Sequence, residues 1–339
     1  MFATFKAKVG ISRARTWALV LAVMAVSATI AACGDDSSGG ASSGGGGDSK
    51  LIVATMGFPC SLNDFAKSLC AGFAAGEKQL PAGFRFEVKT GTDFADVSGY
   101  NNLIQTSVQL EPAGMIVFPG GPSAQVPVLK QACAKDVKLI IVDNPVKGLG
   151  DCQSGYIAAN HRKLGEDVGK WLVEHPPASK QVGVVTLPPG QVSSNDDRVN
   201  GFKEAVESAG FKVVATVVTD LGQDKTRTQV TNMLTAHPKL GAVFSANDQM
   251  GYGTAQAVKA SRNTNVKQLT IDGALDAVKR IPDGLAANAA QDPYFAGKES
   301  VLSMAKLLQG KTIPAVVDEP SLLVDETNAK QYIAKGGNR

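Results

Sequence analysis

The sequence predicts an α/β protein in which two doubly wound, parallel-sheet lobes are joined by a three-strand hinge. Short apolar segments alternate with segments of helical spacing over about 290 residues, enough for two medium-sized domains. Most of the apolar segments are continuous, which is typical of parallel strands that helices cover on both faces. Polar residues follow directly where several of these segments end, as expected for a sheet that binds a ligand at its edge.

The first stretch supplies five predicted strands with helices between them. A helix is predicted over about residues 63–79, directly after the first strand, and similar segments follow the next ones. The predicted strands are "LIVATM", "FRFEVKT", "GMIVFP", "VKLIIVDN" and "GYIAAN".

The second stretch repeats the alternation. An amphipathic helix over 161–175 is stopped by Pro176 and Pro177, and later helices end at Gly210, Pro238 and Gly310. Strands are predicted at "QVGVVTL", "FKVVATVVTD", "LGAVFSAN", "KQLTIDG" and "LAANAAQ", and a last strand and helix are predicted in "SLLVDETNAKQYIAKG".

We expect the two α/β units to be joined near Ala158 and Gln291. The predicted organisation is a signal peptide over 1–32, a flexible tether over 33–49, a first lobe from 50–158 and 292–320, and a second lobe from 159–291 and 321–339.

The N-terminal segment has the pattern of a bacterial lipoprotein signal. Four basic residues precede the apolar run "WALVLAVMAVSATIAA", which ends in small residues. The run is somewhat short for a membrane-spanning helix of about 20 residues, although a retained anchor helix is an alternative. "IAAC" resembles the lipobox, in which Cys33 becomes the acylated mature N-terminus. Several acyl chains give stable anchoring, and the following Gly/Ser-rich segment predicts a flexible tether.

The charge balance argues against a nucleic-acid partner. The chain has 34 basic and 31 acidic residues, a net charge of +3. Without the four basic residues of 1–32 the balance is 30 basic to 31 acidic. A near-neutral body lacks the basic surface that phosphate backbones require.

Four cysteines remain beyond Cys33, an even number that suits disulfides in an exported protein. Of the three possible connectivities we favour Cys60–Cys70 with Cys133–Cys152, because each pair is local in sequence. The three histidines do not lie at metal-ligand spacing with the cysteines, so we expect no metal site. No cofactor-binding motif is present, and we expect no cofactor.

Polar residues recur at the predicted strand ends. Ligands of open α/β sheets bind beyond the carboxyl ends of the strands, so these residues are candidates for one cleft between the lobes. The strand ends are Phe118-Pro119, Asp143-Asn144, Ala159-Asn160, Asn247-Asp248, Asp272-Gly273 and Gln291-Asp292.

Three segments carry a family resemblance: "DRVNGFKEAVESAGF", "NMLTAHPKLGAVFSANDQMGYGTAQAV" and "LTIDG". They resemble the second lobe of ribose-binding-type solute-binding proteins of sugar ABC importers, which are type I periplasmic binding proteins. In that family three hinge crossovers join the two lobes, which implies crossings near Ala158, Gln291 and Pro320 in this chain. The resemblance extends over nearly all of 51–336 and is strongest over 198–291. It implies a monomeric, exported, lipid-anchored protein on the outer side of the cytoplasmic membrane. Such a protein binds a small sugar or polyol between its lobes and delivers it to a permease and its ATPase.

The resemblance also implies site residues. Asp143, Arg198, Asn247, Asp272 and Gln291 match residues that contact the sugar in the family. The chain departs from the ribose binders at three other positions. It has Asn144 where they have an arginine, Phe118 where they have an asparagine, and Leu221 where they have a phenylalanine. The full candidate set is Phe58, Phe65, Phe118, Asp143, Asn144, Asn160, Arg198, Asn247, Asp272 and Gln291.

These side chains suit a polyol. A sugar hydroxyl both donates and accepts, carboxylates accept, arginine donates and amides do both. Asp248, directly after Asn247, is instead a candidate helix N-cap. Trp171 lies on the apolar face of its predicted helix and is expected in the core.

Other functions are weighed against this one. A glycoside hydrolase could use Asp143 and Asp272 as its two carboxylates, but no nucleophile elbow, P-loop or dinucleotide fingerprint is present, so we expect no enzyme. Sugar-responsive repressors share the fold but carry a DNA-reading motif where this chain has the signal and tether. A sensor that presents its ligand to a membrane receptor or kinase is the main alternative.

Overall fold

The structure is a computed structural model that describes residues 49–261, 263 and 265–337. The predicted signal peptide over 1–32, the predicted acylation site Cys33 and all of the predicted tether except Ser49 lie outside the described residues. Within the described residues, no helix is long and apolar enough to cross a membrane. In that same part of the chain, His, Cys, Asp and Glu side chains form no group of three or more that could hold a metal ion.

The first part of the chain alternates strands and helices as predicted. Its elements are β1 (Lys50–Met56), α1 (Asp64–Glu77), β2 (Phe84–Thr90), α2 (Val97–Val108), β3 (Gly114–Phe118), α3 (Pro122–Cys133), β4 (Lys138–Val142) and β5 (Gln153–Ala158).

The alternation then continues to the C-terminus. The elements are α4 (His161–Glu174), β6 (Gln181–Thr186), α5 (Ser193–Ser208), β7 (Lys212–Val218), α6 (Gln223–Ala236), β8 (Ala242–Ser245), α7 (Asp248–Ser261), β9 (Lys267–Asp272), α8 (Leu275–Val278), β10 (Leu285–Gln291), α9 (Pro293–Leu308), β11 (Val316–Asp318), β12 (Ser321–Asp325) and α10 (Ala329–Ala334).

Two six-stranded sheets organise the described residues. The first has the order β11-β5-β4-β3-β1-β2 and the second the order β12-β10-β9-β8-β6-β7. All neighbouring strands pair in parallel except β12, which runs antiparallel to β10. We call the first sheet with its helices the first lobe and the second sheet with its helices the second lobe. The predicted class of two doubly wound α/β lobes is confirmed.

Two details of the sheets differ from the sequence-based expectation. β11 was not predicted, because it has only three residues and mostly exposed side chains, and so carries no apolar run. β12 is not parallel, because only residues 319–320 separate it from β11, which ends beside the carboxyl end of β5. The strand therefore enters the second sheet at the carboxyl end of β10 and runs back along it, with Ser321 opposite Gln291.

Each sheet is covered on both faces, as its continuous apolar strands require. In β1, Leu51 and Val53 join one core of the first lobe, whereas Ile52 and Ala54 join the core on the opposite face. In the second lobe the buried Trp171 belongs to the main core, as expected, and its indole N–H donates to the Asp325 carboxylate at 2.8 Å.

α4 and α5 pack backbone against backbone. A Cβ atom on Gly165 would lie 2.0 Å from the main-chain oxygen of Arg198, and one on Gly201 would lie 2.1 Å from that of Arg162. Only glycine permits this approach. It brings the first residue of α4, His161, beside Arg198 in the middle of α5.

The chain passes between the sheets three times, after β5, after β10 and after β11. These crossings lie together: the main-chain N–H of Glu319, in the third, donates to the Ala158 carbonyl at the first, at 2.9 Å. The Glu319 carboxyl group faces the main-chain N–H of Asp292 at the second. Burial, followed by the charge of Asp143, raises the pKa of Glu319 well above its ordinary value.

Two disulfides tie loops to helices. Cys60, after β1, is bonded to Cys70 of α1, and Cys133, at the end of α3, is bonded to Cys152 before β5. This is the pairing favoured from the sequence.

The second disulfide closes the longer loop, with a sequence separation of 19. We expect the double variant Cys133→Ser/Cys152→Ser to lose about 3 kcal/mol of unfolding free energy, because its unfolded chain is less constrained. Urea denaturation measures this loss. As a control, parent and variant are compared again in reductant, which opens both disulfides, and their midpoints should then converge. A peptide map of the unreduced protein with free thiols or crossed pairs would contradict the assignment.

Glu319 should make stability depend on pH. Because folding raises its pKa, the folded protein holds the proton more tightly than the unfolded chain does. The stability that the protonated Glu319 carboxyl group contributes is fully present below about pH 4.5. It is lost as the pH rises through the raised pKa. We therefore expect the unfolding free energy of Glu319→Gln to exceed that of the parent by about 1 kcal/mol or more at about pH 8. One pKa unit corresponds to about 1.4 kcal/mol.

Urea denaturation across this pH range provides the measurement, with Glu326→Gln, an exposed glutamate in the turn after β12, as the matched control. The control should keep the pH dependence of the parent. If Glu319→Gln keeps it too, the Glu319 carboxyl group is not the source.

Candidate ligand-binding site

A cavity of about 90 Å³ lies between the carboxyl ends of the two sheets. The structure brings nine of the ten candidate ligand residues to it. They are Phe58, Phe65, Phe118, Asp143, Asn144, Arg198, Asn247, Asp272 and Gln291.

Asn160 is the exception, because it does not line this cavity. Its side chain is exposed, and its Oδ1 accepts a hydrogen bond from the main-chain N–H of Lys163 at 3.0 Å. Asn160 is therefore the N-cap of α4, a position that asparagine favours. The next residue, His161, reaches the site instead.

Asn247 has a similar cap contact but also lines the cavity. Its Oδ1 accepts from the main-chain N–H of Met250 at 2.9 Å, so the cap of α7 is Asn247 rather than Asp248. Asp248 is buried and accepts from Ala274 N at 2.8 Å and from Asn288 Nδ2 at 2.7 Å. Burial, followed by the charge of Asp272, raises the pKa of Asp248 to about 8.

One wall of the cavity is aromatic and comes from the first lobe. The ring centroids of Phe58 and Phe118 are 5.1 Å apart, and those of Phe65 and Phe118 are 5.7 Å apart. Phe94, which the sequence reasoning missed, extends the wall at 5.6 Å from Phe58. It lies in the loop after β2, where no periodic pattern marks it. The second lobe contributes aliphatic side chains instead: Leu187, Val192 and Leu221.

The two strand-end aspartates have unusual backbones. Asp143 has φ 66° and Asp272 has φ 129°, a range that non-glycine residues seldom adopt. The Asp143 carbonyl accepts a hydrogen bond from the Tyr156 hydroxyl at 2.7 Å, and its N–H donates to the Ile157 carbonyl at 2.9 Å. Such strain persists only where the surroundings fix the residue, and it is common at binding sites.

In the second lobe, Arg198 forms a buried ion pair with Asp272. Its Nη1 donates to Asp272 Oδ1 at 2.8 Å and to the Ala246 carbonyl at 3.0 Å. Gln291 Nε2 donates to the same Asp272 oxygen at 2.9 Å. Burial raises the pKa of Asp272, and the Arg198 guanidinium opposes that rise.

His161 joins the two lobes within the site. Its Nε2 lies 3.2 Å from the Asp143 carbonyl oxygen and 3.3 Å from Asp143 Oδ1, and its Nδ1 lies 3.3 Å from Arg198 Nε. Burial alone would raise the pKa of Asp143, but His161 and Arg198 together lower it. The sequence gives only one hint of this role, namely that His161 follows the first crossing.

Three buried oxygens at the cavity remain available as acceptors. Asp143 Oδ1, Asn144 Oδ1 and Gln291 Oε1 receive no hydrogen bond of good geometry from any described residue. An unsatisfied buried polar atom costs about 1–3 kcal/mol. The arrangement therefore favours a ligand that carries several O–H donors.

Larger cavities lie elsewhere in the described residues, but their side chains converge less. One of about 870 Å³ is lined only by the second lobe, between α7 and the start of β10. One of about 410 Å³ lies between α1 and α8 and is bordered by the exposed Lys67, Asp276 and Lys279. Neither collects buried acceptors from both lobes, so volume alone does not identify the site.

Comparison with known proteins agrees with this geometry. Residues 56–312 match the periplasmic binding protein domain family. The chain is 33% identical over 238 residues to the ribose import binding protein RbsB of Salmonella typhimurium, covering 65% of this chain and 79% of the relative. It is 26% identical over 262 residues to the D-ribose/D-allose-binding protein of Pseudomonas aeruginosa, covering 74% of this chain and 80% of the relative.

Solved structures share the fold. An ABC transporter solute-binding protein from Agrobacterium vitis, bound with α-D-tagatopyranose, superposes with a TM-score of 0.77 at 22% identity, over 85% of this chain and 98% of its own. An ABC transporter solute-binding protein from Mycobacterium smegmatis, with bound glycerol, superposes with a TM-score of 0.75 at 26% identity. The match covers 85% of this chain and 97% of that protein. The chain therefore belongs to the periplasmic binding protein domain family, as a ribose-type, type I periplasmic binding protein.

Proposed function

We propose that this protein is the extracytoplasmic solute-binding component of an ABC importer. It binds a small sugar or polyol in the cavity between its lobes and delivers it to a membrane permease and its ATPase. The family is one of sugar-binding transport proteins and not of enzymes, which supports a binding role.

One observation carries the proposal: buried acceptor oxygens from both lobes converge on a cavity with an aromatic wall. Asp143 and Asn144 come from the first lobe, and Gln291 ends a strand of the second. Vicinal hydroxyls satisfy such acceptors, while an aromatic wall packs against the C–H face of a sugar ring. The ligand bridges the lobes because each lobe supplies only part of its hydrogen bonds.

The relatives suggest the probes for a binding screen. Their names and titles specify D-ribose, D-allose, D-tagatose, D-fucose, D-arabinose and glycerol. A bound ligand stabilises the folded protein, by about 4 kcal/mol at a thousandfold excess over Kd. We expect at least one member of this panel to raise the melting temperature of the parent, and a flat response to the whole panel would count against the proposal.

Lipid anchoring is the finer part of the proposal. The lipobox-like "IAAC" ending at Cys33 and the Gly/Ser-rich segment after it support a lipoprotein held on the outer side of the cytoplasmic membrane. Several acyl chains on one N-terminus provide a stable hold.

The role of Asn144 in ligand binding is tested by replacing it with serine and by making the same substitution at Asn160. We expect Asn144→Ser to weaken binding of the best panel sugar by about tenfold or more, because the shorter side chain removes a buried acceptor. Asn160→Ser is the matched control, because serine preserves the N-cap and Asn160 lies outside the cavity. Calorimetry gives both affinities. Equal affinities for Asn144→Ser and the parent would remove Asn144 from the site.

The anchor is tested with Cys33→Ala. We expect the variant to leave the membrane fraction and become extractable without detergent, because no thiol remains to carry the lipid. Cell fractionation with immunoblotting measures this, and Ser38→Ala serves as a control that should stay with the membrane. Continued firm membrane association of Cys33→Ala would refute the lipoprotein assignment.

A further inference from the structure

We propose that His161 is a positioning residue of the binding site. As a neutral imidazole with its proton on Nε2, it holds Asp143 of the first lobe and Arg198 of the second in the arrangement that receives the ligand. The inference rests on the proposed function for its ligand, but the state of the imidazole can be measured without one.

The contacts of His161 select one tautomer. Arginine only donates hydrogen bonds, and Arg198 Nε lies 3.3 Å from His161 Nδ1, so Nδ1 must accept and carries no proton. The ring proton is then on Nε2. That nitrogen donates to the Asp143 carbonyl oxygen at 3.2 Å. Asp143 Oδ1 lies 3.3 Å from the same nitrogen but receives no hydrogen bond of good geometry.

Asp143 needs such support because its backbone is strained. At φ 66° the Asp143 backbone lies in the left-handed region, where a non-glycine residue is less stable than in the ordinary regions. Two donors hold its carbonyl, the Tyr156 hydroxyl from β5 and His161 Nε2 from α4. These donors come from either side of the first crossing. Without His161 the peptide can relax, and the Asp143 carboxylate moves with it.

Arg198 is held on two sides. Its Nε donates to His161, while its Nη1 donates to Asp272 and to the Ala246 carbonyl. These contacts fix the plane of the guanidinium group. The backbone contact of α4 and α5 at Gly165 and Gly201 supplies the proximity on which the His161 contact depends.

Protonation of His161 should disrupt the arrangement. An N–H on Nδ1 would face the N–H of Arg198 Nε, which places two donors and two positive charges together in a buried site. Ligand affinity should therefore fall on acidification, as the imidazole takes up a second proton. The titratable and charged groups around this pair are Asp143, Tyr156, Asp197, Arg198, Asp272 and Glu319.

Two variants test the two ring nitrogens of His161 independently. His161→Gln keeps a donor near Nε2 but offers Arg198 no acceptor at Nδ1. His161→Asn keeps an acceptor near Nδ1 but has no donor that reaches Asp143. We expect each to weaken binding of the best panel sugar by about tenfold, the effect of one buried hydrogen bond. His237→Gln is the matched control, because His237 ends α6 away from the cavity.

The pH profile distinguishes positioning from a general loss of stability. The affinity of the parent should fall on acidification, and His161→Gln should abolish that fall. Glu319→Gln is included as a second control, because the pKa of Glu319 is raised and its titration could also change the affinity with pH. The affinity of Glu319→Gln should still fall on acidification, as that of the parent does. A profile unchanged in His161→Gln, or abolished by Glu319→Gln alone, would overturn the proposal.

The tautomer is measured on the sugar-free parent by nitrogen NMR of ¹⁵N-histidine-labelled protein at neutral pH. The chain has three histidines, so the His161 signals are those that remain in both His175→Gln and His237→Gln. The expected form is protonated at Nε2 only. A form protonated at Nδ1, or an imidazolium, would overturn the proposal even if the variants fail to fold. If no panel sugar binds the parent, the proposed function fails, and the tautomer alone decides whether His161 holds Asp143 and Arg198 as described.

Discussion

The buried guanidinium group of Arg198 is the charge around which the site is organised. A buried cation is stable only where carboxylates and carbonyls compensate it with good geometry. Here Asp272 and the Ala246 carbonyl accept from one nitrogen, and His161 accepts from another. The charge of Arg198 also helps to lower the pKa of Asp143 in the other lobe. The carboxylates of both lobes therefore depend on a single cation.

More carboxyl groups are buried here than this cation can neutralise. Asp248 and Glu319 are both buried, and their pKa values are raised. Their protonated forms add no further negative charge beside Asp272 and Asp143. Burial is the main cause of the raised pKa of Glu319, and the charge of Asp143 adds to it.

Local patterns predicted most of the architecture, because continuous apolar strands and amphipathic helices are recorded in short windows of sequence. β11 escaped because three mostly exposed residues carry no such pattern, and the direction of β12 depends on the length of the link before it. Strand ends predicted Asp143, Asp272 and Gln291, because parallel sheets bring these ends to one edge.

The remaining site residues depend on contacts that no local pattern encodes. Phe94 lies in a loop, and His161 meets Arg198 only because Gly165 and Gly201 let two helices touch. Asn160 shows why a strand-end pattern is ambiguous. A polar residue after a strand suits a ligand site and a helix N-cap equally well, and here α4 begins at the next residue, so the cap uses the side chain.

The charge balance also bears on the kind of ligand the cavity suits. The positive charge of Arg198 is already shared between Asp272 and, at longer range, Asp143. A carboxylate or phosphate would add negative charge beside these groups, and the described residues that line the cavity supply no second cation to compensate it. The cost would be high in a site of low dielectric constant. The unsatisfied atoms on Asp143, Asn144 and Gln291 are acceptors and not donors. A neutral polyol meets both conditions, since its hydroxyls donate to these oxygens and leave the Arg198 ion pair intact.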